Sequence, residues 1–414
     1  MGQLQSVLHA QIRKTPQLAL EQILERKLEE DGIKLSKAGR KAFAEHILTH
    51  GESKEFTWRG GNGTDNKTIK FDETDAEELS RMTRRLAESM PEIVDKLSKS
   101  AAKDYLKNLL AAWPERDDWE LLVNAGFRER LQERWGEGLG LLRMLLTVCR
   151  EVGGEQQTLL NRSKAKKALP YARSALVRLH IRACQVSSET ITLMEGGFAD
   201  GAMARWRTLY EIAVVSDLIA VAGDDLGHRY LAHDVIDEKE AIEAYVRTQV
   251  PLGYKPPSAA VLKSLERRVA AAVTRFGPEF KRPNGWAAKH LGITGKQKVR
   301  FCDLENAAGR TGMKSIYKAA SYPVHAGARS LYYSHAQLDP FDGPTAGATN
   351  AGLLVPGQNL AYTLVQITGN LLSKRRNTLD HIVDLRVLVS LRDLVPPALQ
   401  RAERQLRKDE AGMH

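Results

Sequence analysis

The chain has 414 residues, of which 43% are hydrophobic, 27% charged and 6% aromatic, a composition typical of a globular protein with two or three domains. Its longest apolar stretch, 212–223, is interrupted by a serine and an aspartate and falls short of the roughly 20 residues that span a bilayer, so we expect no membrane association. Three widely spaced cysteines, Cys149, Cys184 and Cys302, exclude a disulfide framework and a zinc site and favour a reducing cytoplasm.

Helical periodicity is the dominant pattern along the chain. Apolar residues recur three and four apart in the windows 18–30, 77–86, 93–110, 172–194, 202–222, 258–276 and 396–408. This spacing predicts an all-α fold. One exception, 55–71, has two short alternating runs around a Gly/Asn turn and predicts a small β-hairpin. The following Thr74 and Glu77 have the spacing of a capping box, which predicts a helix start there.

The Gly- and Pro-rich stretches 251–257 and 339–358 predict surface loops, the second long enough to act as a lid or a binding loop. We expect an N-terminal helical module, 1–115, which carries the hairpin. A larger helical domain, 119–414, should follow, with the boundary near 113–118.

The charge balance is basic. The 61 Lys and Arg exceed the 51 Asp and Glu and give a net charge of +10. Basic side chains gain affinity for phosphates by releasing counterions, so a nucleic acid is a candidate partner. The most compact basic run is either a solvated linker or a nucleic-acid contact, and it consists of Arg162, Lys164, Lys166 and Lys167.

The helix predicted over 202–222 places an Arg and a Glu inside an apolar stripe. Arg207 and Glu211 share a face with Met203, Val214 and Leu218. Arg precedes Glu, the less stabilising orientation for a surface pair. Buried charges are costly unless they are paired, so the two residues form either a structural clamp or part of a site.

A second group of polar residues follows at helical spacing. Tyr317, Ser321 and His325 lie four residues apart, so a helix would place a phenol, a hydroxyl and an imidazole in one row, an arrangement suited to proton transfer. Pro323 must kink that helix or begin a new one, so the alignment of His325 is approximate.

These residues resemble a known family. Arg207 with Glu211, then Asn284-Gly-Trp286, then Tyr317, Ser321, His325 and Gly327 are similar to motifs of the bacterial domain of unknown function 5677 family, over roughly 176–335. That family resembles the helical HEPN superfamily of toxins and defence nucleases. The resemblance implies dimers and metal-independent endoribonuclease activity.

The HEPN signature is an Arg followed after four to six residues by a His. Arg376, Asn377 and His381 fit this form, with the polar residue directly after the Arg. Other Arg–His pairs in the chain have the same spacing, so the alternative is an exposed basic turn.

Together these observations predict a cytoplasmic toxin or antiviral (phage) defence factor that cleaves RNA without a metal or a cofactor. The candidate catalytic residues are Arg207, Glu211, Tyr317, Ser321, His325, Arg376, Asn377 and His381. We also expect a homodimer and an antitoxin or defence-system protein as partner. The alternative is a non-enzymatic helical interaction or sensor module in which Arg207 and Glu211 form a structural clamp.

Overall fold

The computed structural model describes residues 2–50, 69–163, 170–338, 345–373 and 379–412. The chain divides into two compact units, Met1–Trp119 and Glu120–His414. Throughout those described ranges the regular elements are α-helices and short 3₁₀ turns, without a strand. The predicted all-α class is confirmed. Within the described ranges, no helix combines the length and the hydropathy of a membrane span.

The first unit contains α1 (Gly2–Glu30), α2 (Lys37–His50) and the first part of α3 (Glu73–Ser163). Its core is a small cluster of apolar side chains on α1 and α2, among them Leu20, Ile23, Leu24, Leu28 and Ala44. Arg26 and Lys27 of α1 form ion pairs with Asp75, whose carboxylate is 97% buried by the surrounding chain. These pairs fix the start of α3 against α1.

The start of α3 is capped, two residues before the predicted position. The Asp72 carboxylate accepts a hydrogen bond from the backbone N–H of Asp75 (3.2 Å), and the Asp75 carboxylate accepts one from the N–H of Asp72 (2.9 Å). This reciprocal pair satisfies amides that have no partner within the helix. The capping box predicted for Thr74 and Glu77 is therefore replaced by one between two aspartates, because α3 already begins at Glu73.

The β-hairpin predicted over 55–71 is not confirmed. Residues 55–68 lie outside the described residues, and 69–72 have no regular secondary structure. The predicted boundary near 113–118 lies inside α3, which is helical on both sides of Pro114. Of the two predicted loops, 251–257 is irregular as expected, whereas α11 begins at Leu354 and shortens the second loop.

Among its described residues, the second unit contains the rest of α3 and nine further helices. They are α4 (Tyr171–Glu195), α5 (Ala199–Ala222), α6 (Asp224–Ala232), α7 (Asp234–Thr248), α8 (Ala259–Phe276), α9 (Phe301–Ala307), α10 (Lys314–Ser321), α11 (Leu354–Leu372) and α12 (Leu379–Ala411). α5 packs against α4, α6, α10 and α11. Because it is surrounded in this way, α5 is apolar on most of its sides and ends at Gly223, whose φ of 76° suits glycine.

One buried imidazole gives this core a pH dependence. His180 of α4 has Nε2 3.2 Å from Oγ1 of Thr368 on α11, and burial lowers its pKa from 6.5 to about 4. The unfolded chain binds a proton near pH 6.5, whereas the folded chain does not until about pH 4. The contribution of His180 to the free energy of unfolding is therefore at its maximum above pH 6.5. The free energy of unfolding falls as the pH drops towards 4, in total by roughly 3 kcal/mol.

Urea denaturation at pH 7 and pH 4.5 measures this loss. The His180→Gln variant should show a smaller difference between the two pH values than the wild type. Equal differences would contradict the assignment.

Candidate functional site

The residues predicted on α5 and α10 come together. The Tyr317 phenol of α10 donates a hydrogen bond to Oε1 of Glu211 (2.6 Å) and accepts one from Nη2 of Arg207 (2.8 Å). The Arg207 guanidinium also lies 3.2 Å from Oε1 of Glu211 and 4.9 Å from the centre of the Tyr317 ring. These three side chains form one closed hydrogen-bonded triad that joins α5 to α10.

The triad is half-buried rather than fully buried. The Arg207 and Glu211 side chains are 26% and 37% exposed, although Met203 and Val214 beside them are fully buried. Arg207 Nε is inaccessible to solvent and has no hydrogen-bond partner among the described residues. Since Glu211 offsets its charge, Arg207 is held in place rather than left free to bind a phosphate.

Two of the predicted proton-transfer groups are unsuited to that role. Burial, and then the hydrogen bond to Glu211, raise the pKa of Tyr317 to about 12, so the phenol stays protonated at neutral pH. The Ser321 hydroxyl donates to the backbone carbonyl of Tyr317 at 2.9 Å, a bond within its own helix. Neither group is available as a base.

His325 does not align with Tyr317 and Ser321. α10 ends at Ser321, a 3₁₀ turn over Tyr322–Val324 follows, and His325 has extended backbone angles (φ −115°, ψ 139°). Pro323 lies in that turn, so the proline ends the helix rather than kinking it. The imidazole is exposed, and its ring makes no hydrogen bond within the part of the chain that the structure describes.

The remaining predicted residues are described only in part. Arg376 and Asn377 lie outside the described residues, as do Lys164, Lys166 and Lys167, and of Arg162 only the backbone is described, at the end of α3. His381 is half-buried in the first turns of α12. The two predicted groups, 207/211/325 and 376/381, stay separate predictions.

Asn284 and Trp286, the other residues of the resemblance, have a structural function. Asn284 adopts left-handed backbone angles (φ 55°) and Nδ2 donates to the carbonyl of Val299 at 3.2 Å. A Cβ on the intervening Gly285 would lie 2.4 Å from the carbonyl oxygen of Glu279, and Trp286 is buried against Tyr230. The three residues form a tight turn that packs on α6.

Comparison with protein families gives a match to part of the chain. Residues 173–343 match DUF5677, a family of unknown function. This confirms the resemblance predicted for roughly 176–335. Comparisons with curated proteins and with solved structures give no match.

A second polar network, which extends from the DUF5677 segment to Asn370 of α11, was missed by the sequence analysis. The buried Tyr210 phenol donates a hydrogen bond to Oε1 of Glu305 (2.7 Å), and Glu305 is 2% exposed. Burial raises the pKa of Tyr210. Arg310 pairs with Asp217, whose Oδ1 accepts a hydrogen bond from Nδ2 of Asn370 (2.6 Å). The network joins α5, α9 and α11, and the partners are 93 to 153 residues apart, so no local pattern could predict it.

One part of the DUF5677 segment is strongly basic. Residues 281–329, here called the basic segment, have ten Lys and Arg and two Asp and Glu. Both acids are already engaged, Asp303 with Arg300 and Glu305 with Tyr210. Six lysines are exposed and form no ion pair with any residue that the structure describes: Lys281, Lys289, Lys296, Lys298, Lys314 and Lys318.

The basic segment was overlooked because its cations are spaced along 49 residues rather than grouped in one run. A running sum of charge over a 50-residue window would have found it. Among the described residues there is no group of three His, Cys, Asp or Glu side chains that could hold a metal ion.

We predict a measurable coupling between Arg207 and Glu211. Removing one partner of a buried ion pair lowers the free energy of unfolding by about 3 to 5 kcal/mol. Removing one partner of an exposed pair lowers it by at most about 1 kcal/mol. Because this pair is half-buried and shares Tyr317, a double-mutant cycle of Arg207→Ala and Glu211→Ala should give about 1 to 2 kcal/mol in urea denaturation. The surface pair Arg268–Glu238 is the matched control, and an equal coupling energy at both pairs would exclude a clamp.

Proposed function

We propose that the second unit binds RNA through the basic segment and is a metal-independent endoribonuclease of a toxin or phage-defence system, with a HEPN-like fold. The observation that supports the proposal is the basic segment itself. Its six exposed lysines have no acidic partner among the described residues, so they are free to replace the counterions of a polyanion.

His325 is the predicted catalytic group that best fits this proposal. It lies inside the basic segment, between Lys318 and Arg329, and its exposed ring is not hydrogen-bonded within the described residues. An imidazole can move a proton at the 2′-hydroxyl or at the leaving oxygen, while cations stabilise charge on the phosphate. Attack by the 2′-hydroxyl would restrict cleavage to RNA. The Arg376/His381 pair is a second candidate for the same step.

One observation favours the non-enzymatic alternative. Arg207, Glu211 and Tyr317 satisfy one another, and Ser321 is bonded to its own helix. Groups that are mutually satisfied stabilise the packing of α10 on α5 and offer nothing to a substrate. On this alternative, the basic segment binds RNA or an acidic partner protein, such as an antitoxin, without cleaving it.

An RNA cleavage assay decides between the two functions. Purified wild-type protein and the His325→Ala and His381→Ala variants are each incubated with total RNA in EDTA. The nuclease proposal predicts cleavage by the wild type and loss of cleavage, with RNA binding retained, in at least one variant. RNA binding without cleavage would support the non-enzymatic alternative. Absence of RNA binding at low salt would contradict both RNA functions.

We also propose a homodimer, formed by α3 within the first unit. Five large apolar side chains lie along one side of this helix, and each is at least 45% exposed: Tyr105, Leu106, Leu109, Leu110 and Trp113. At the edge of this apolar side, Lys99 and Asp117 are five helical turns apart and equidistant from Asn108. An antiparallel second copy would therefore place each Lys99 opposite the partner's Asp117, which favours self-association over an unrelated apolar partner.

The dimer should dissociate when charge enters the apolar side of α3. We expect the Leu106→Glu/Leu110→Glu double variant to sediment as a monomer at concentrations at which the wild type is a dimer. Asp104→Lys, on the opposite side of the helix, is the control and should leave the dimer intact. If the wild type stays monomeric in analytical ultracentrifugation at about 100 μM, that result contradicts the proposal.

A further inference from the structure

The chain that follows α10 exposes one aromatic side chain to solvent. Tyr332 is 77% exposed, more than any other tyrosine, phenylalanine or tryptophan that the structure describes, and its neighbour Leu331 is 71% exposed. A tyrosine ring is large and mostly apolar, so covering its face with a flat apolar group is favourable. The Tyr332 ring is therefore available to a ligand that presents such a group.

The backbone on both sides of Tyr332 is held in place. On the C-terminal side, Oδ1 of Asp200 on α5 accepts hydrogen bonds from the backbone N–H of His335 (2.7 Å) and from Nδ1 of its ring (3.0 Å). On the N-terminal side, the 3₁₀ turn Ala328–Leu331 is followed by a hydrogen bond from the N–H of Tyr332 to the carbonyl of Arg329 (3.2 Å). A ring on an ordered backbone loses less conformational entropy when it binds a ligand than a ring on a mobile one.

The residue after Tyr332 packs against the chain instead. Tyr333 is half-buried, and the ring of Tyr322 contacts it edge-on with centroids 5.5 Å apart. The Arg329 guanidinium lies over the same Tyr333 ring, 5.4 Å from its centre. The 3₁₀ turn that contains Tyr322 also packs on the turn that contains Arg329. Of the two consecutive tyrosines, one therefore fixes the local structure and the other is left exposed.

Two cations without an acidic partner belong to this group of tyrosines. Lys318 precedes Tyr322 by four residues, and Tyr322 still has helical backbone angles (φ −61°, ψ −48°), so the two side chains lie one turn apart on the same face. Lys318 and Arg329 are exposed and form no ion pair with any residue that the structure describes. Residues 306–338 contain neither Asp nor Glu, so no acid of this stretch neutralises the two cations.

An exposed ring among free cations has the chemistry of a site for unpaired bases. Every base has a π-face that can stack on a tyrosine ring, while lysine and arginine bind the phosphates beside it. In a duplex the base faces are covered by the neighbouring base pairs, so the ring would have no face to stack on. An acidic peptide would pair with the cations but would leave the Tyr332 ring uncovered, which favours a single-stranded nucleic acid over a protein partner.

We propose that Tyr332 is a stacking site for an unpaired RNA base, and that Lys318 and Arg329 bind the phosphates beside that base. The inference rests on the proposed RNA function and names its substrate class, single-stranded RNA. It concerns recognition rather than chemistry, so it applies equally to a nuclease and to a protein that binds RNA without cleaving it.

The test compares the affinities of the full chain for a fluorescent single strand of about 12 nucleotides and for a duplex of the same length, by anisotropy at low salt. Both probes have 2′-O-methyl nucleotides, so no 2′-hydroxyl can attack the phosphate during the measurement. We expect Tyr332→Ala to lower the affinity for the single strand by about 5- to 150-fold, the loss of one stacked base, and to leave the affinity for the duplex unchanged. Tyr332→Phe keeps the ring and should bind the single strand within about twofold of the wild type.

Two controls separate stacking from charge. Tyr254→Ala removes another tyrosine of the second unit, which is 58% exposed and lies in the loop 251–257, and it should change neither affinity. Tyr332→Ala removes no charge, so the slope of log K against log salt should stay at its wild-type value. The substitution of an exposed side chain should also leave thermal unfolding unchanged.

The outcomes separate this inference from the proposed function. If the wild type binds the single strand and Tyr332→Ala binds it equally well, the inference is overturned while RNA binding stands. If Tyr332→Ala weakens binding of the single strand and of the duplex by the same factor, the ring does not stack on an unpaired base, and the inference is likewise overturned. If the wild type binds neither RNA at low salt but binds polyglutamate, the partner is an acidic protein, and both the RNA function and the inference fail.

Discussion

Neutralising four lysines of the basic segment should lower the affinity for single-stranded RNA by about 10²- to 10³-fold in 50 mM salt. Each lysine that contacts a phosphate releases counterions, so the slope of log K against log salt should also fall, by about 0.7 for each lost contact. The variant replaces Lys289, Lys298, Lys314 and Lys318 with glutamine. Fluorescence anisotropy across a salt series measures both quantities.

The control for this experiment removes the same charge elsewhere. Four lysines of the first unit, all exposed, are replaced with glutamine: Lys34, Lys37, Lys41 and Lys107. If RNA binding depended on net charge alone, the two variants would lose affinity equally, and the basic segment would have no special role. We expect the control to bind within about threefold of the wild type.

Trp206→Ala should lower the free energy of unfolding by about 3 to 5 kcal/mol, a large share of the 5 to 15 kcal/mol typical of a folded domain. Trp206 of α5 is fully buried, and Nε1 donates to Oγ1 of Thr363 on α11 at 3.0 Å. Its ring also packs on Tyr210, with centroids 5.5 Å apart. Alanine would leave a cavity between α5 and α11 and a buried hydroxyl that has lost its donor.

Urea denaturation followed by circular dichroism measures the effect. Trp119→Ala is a matched control, since this side chain is 48% exposed and is covered on one side by the Arg116 guanidinium. It should cost at most about 1 kcal/mol. A similarly small cost at Trp206 would mean that α5 and α11 are loosely packed, contrary to the structure.

The helices could be predicted from the sequence because their signal is local. The window 202–222 differs from α5 (Ala199–Ala222) by three residues at its start, since apolar spacing and Gly223 define that helix without reference to its neighbours. The window 93–110, by contrast, is a small part of α3. Between 110 and 125 the residues of α3 are exposed, except for the half-buried Glu120, so no buried stripe was present for periodicity to detect.

The candidate site was predictable only in part, for a similar reason. Arg207 and Glu211 are four residues apart, and Tyr317 was selected independently, but nothing local indicated that its phenol would bond to both. The failure at His325 has a local cause, because Pro323 ends α10 at the point where the predicted row required another helical turn. Asp200 and His335 are 135 residues apart, and their pairing depends on how α5 packs against the chain after α10.

The uneven distribution of charge has a consequence for how fast the protein meets a partner. The basic segment alone has a net charge of +8 out of the total of +10, so the rest of the chain is close to neutral. Charge concentrated in one eighth of the chain produces a local electric field, which attracts a diffusing polyanion before the two molecules come into contact. The association rate constant should therefore fall steeply with ionic strength, whereas dissociation depends on the short-range contacts made afterwards.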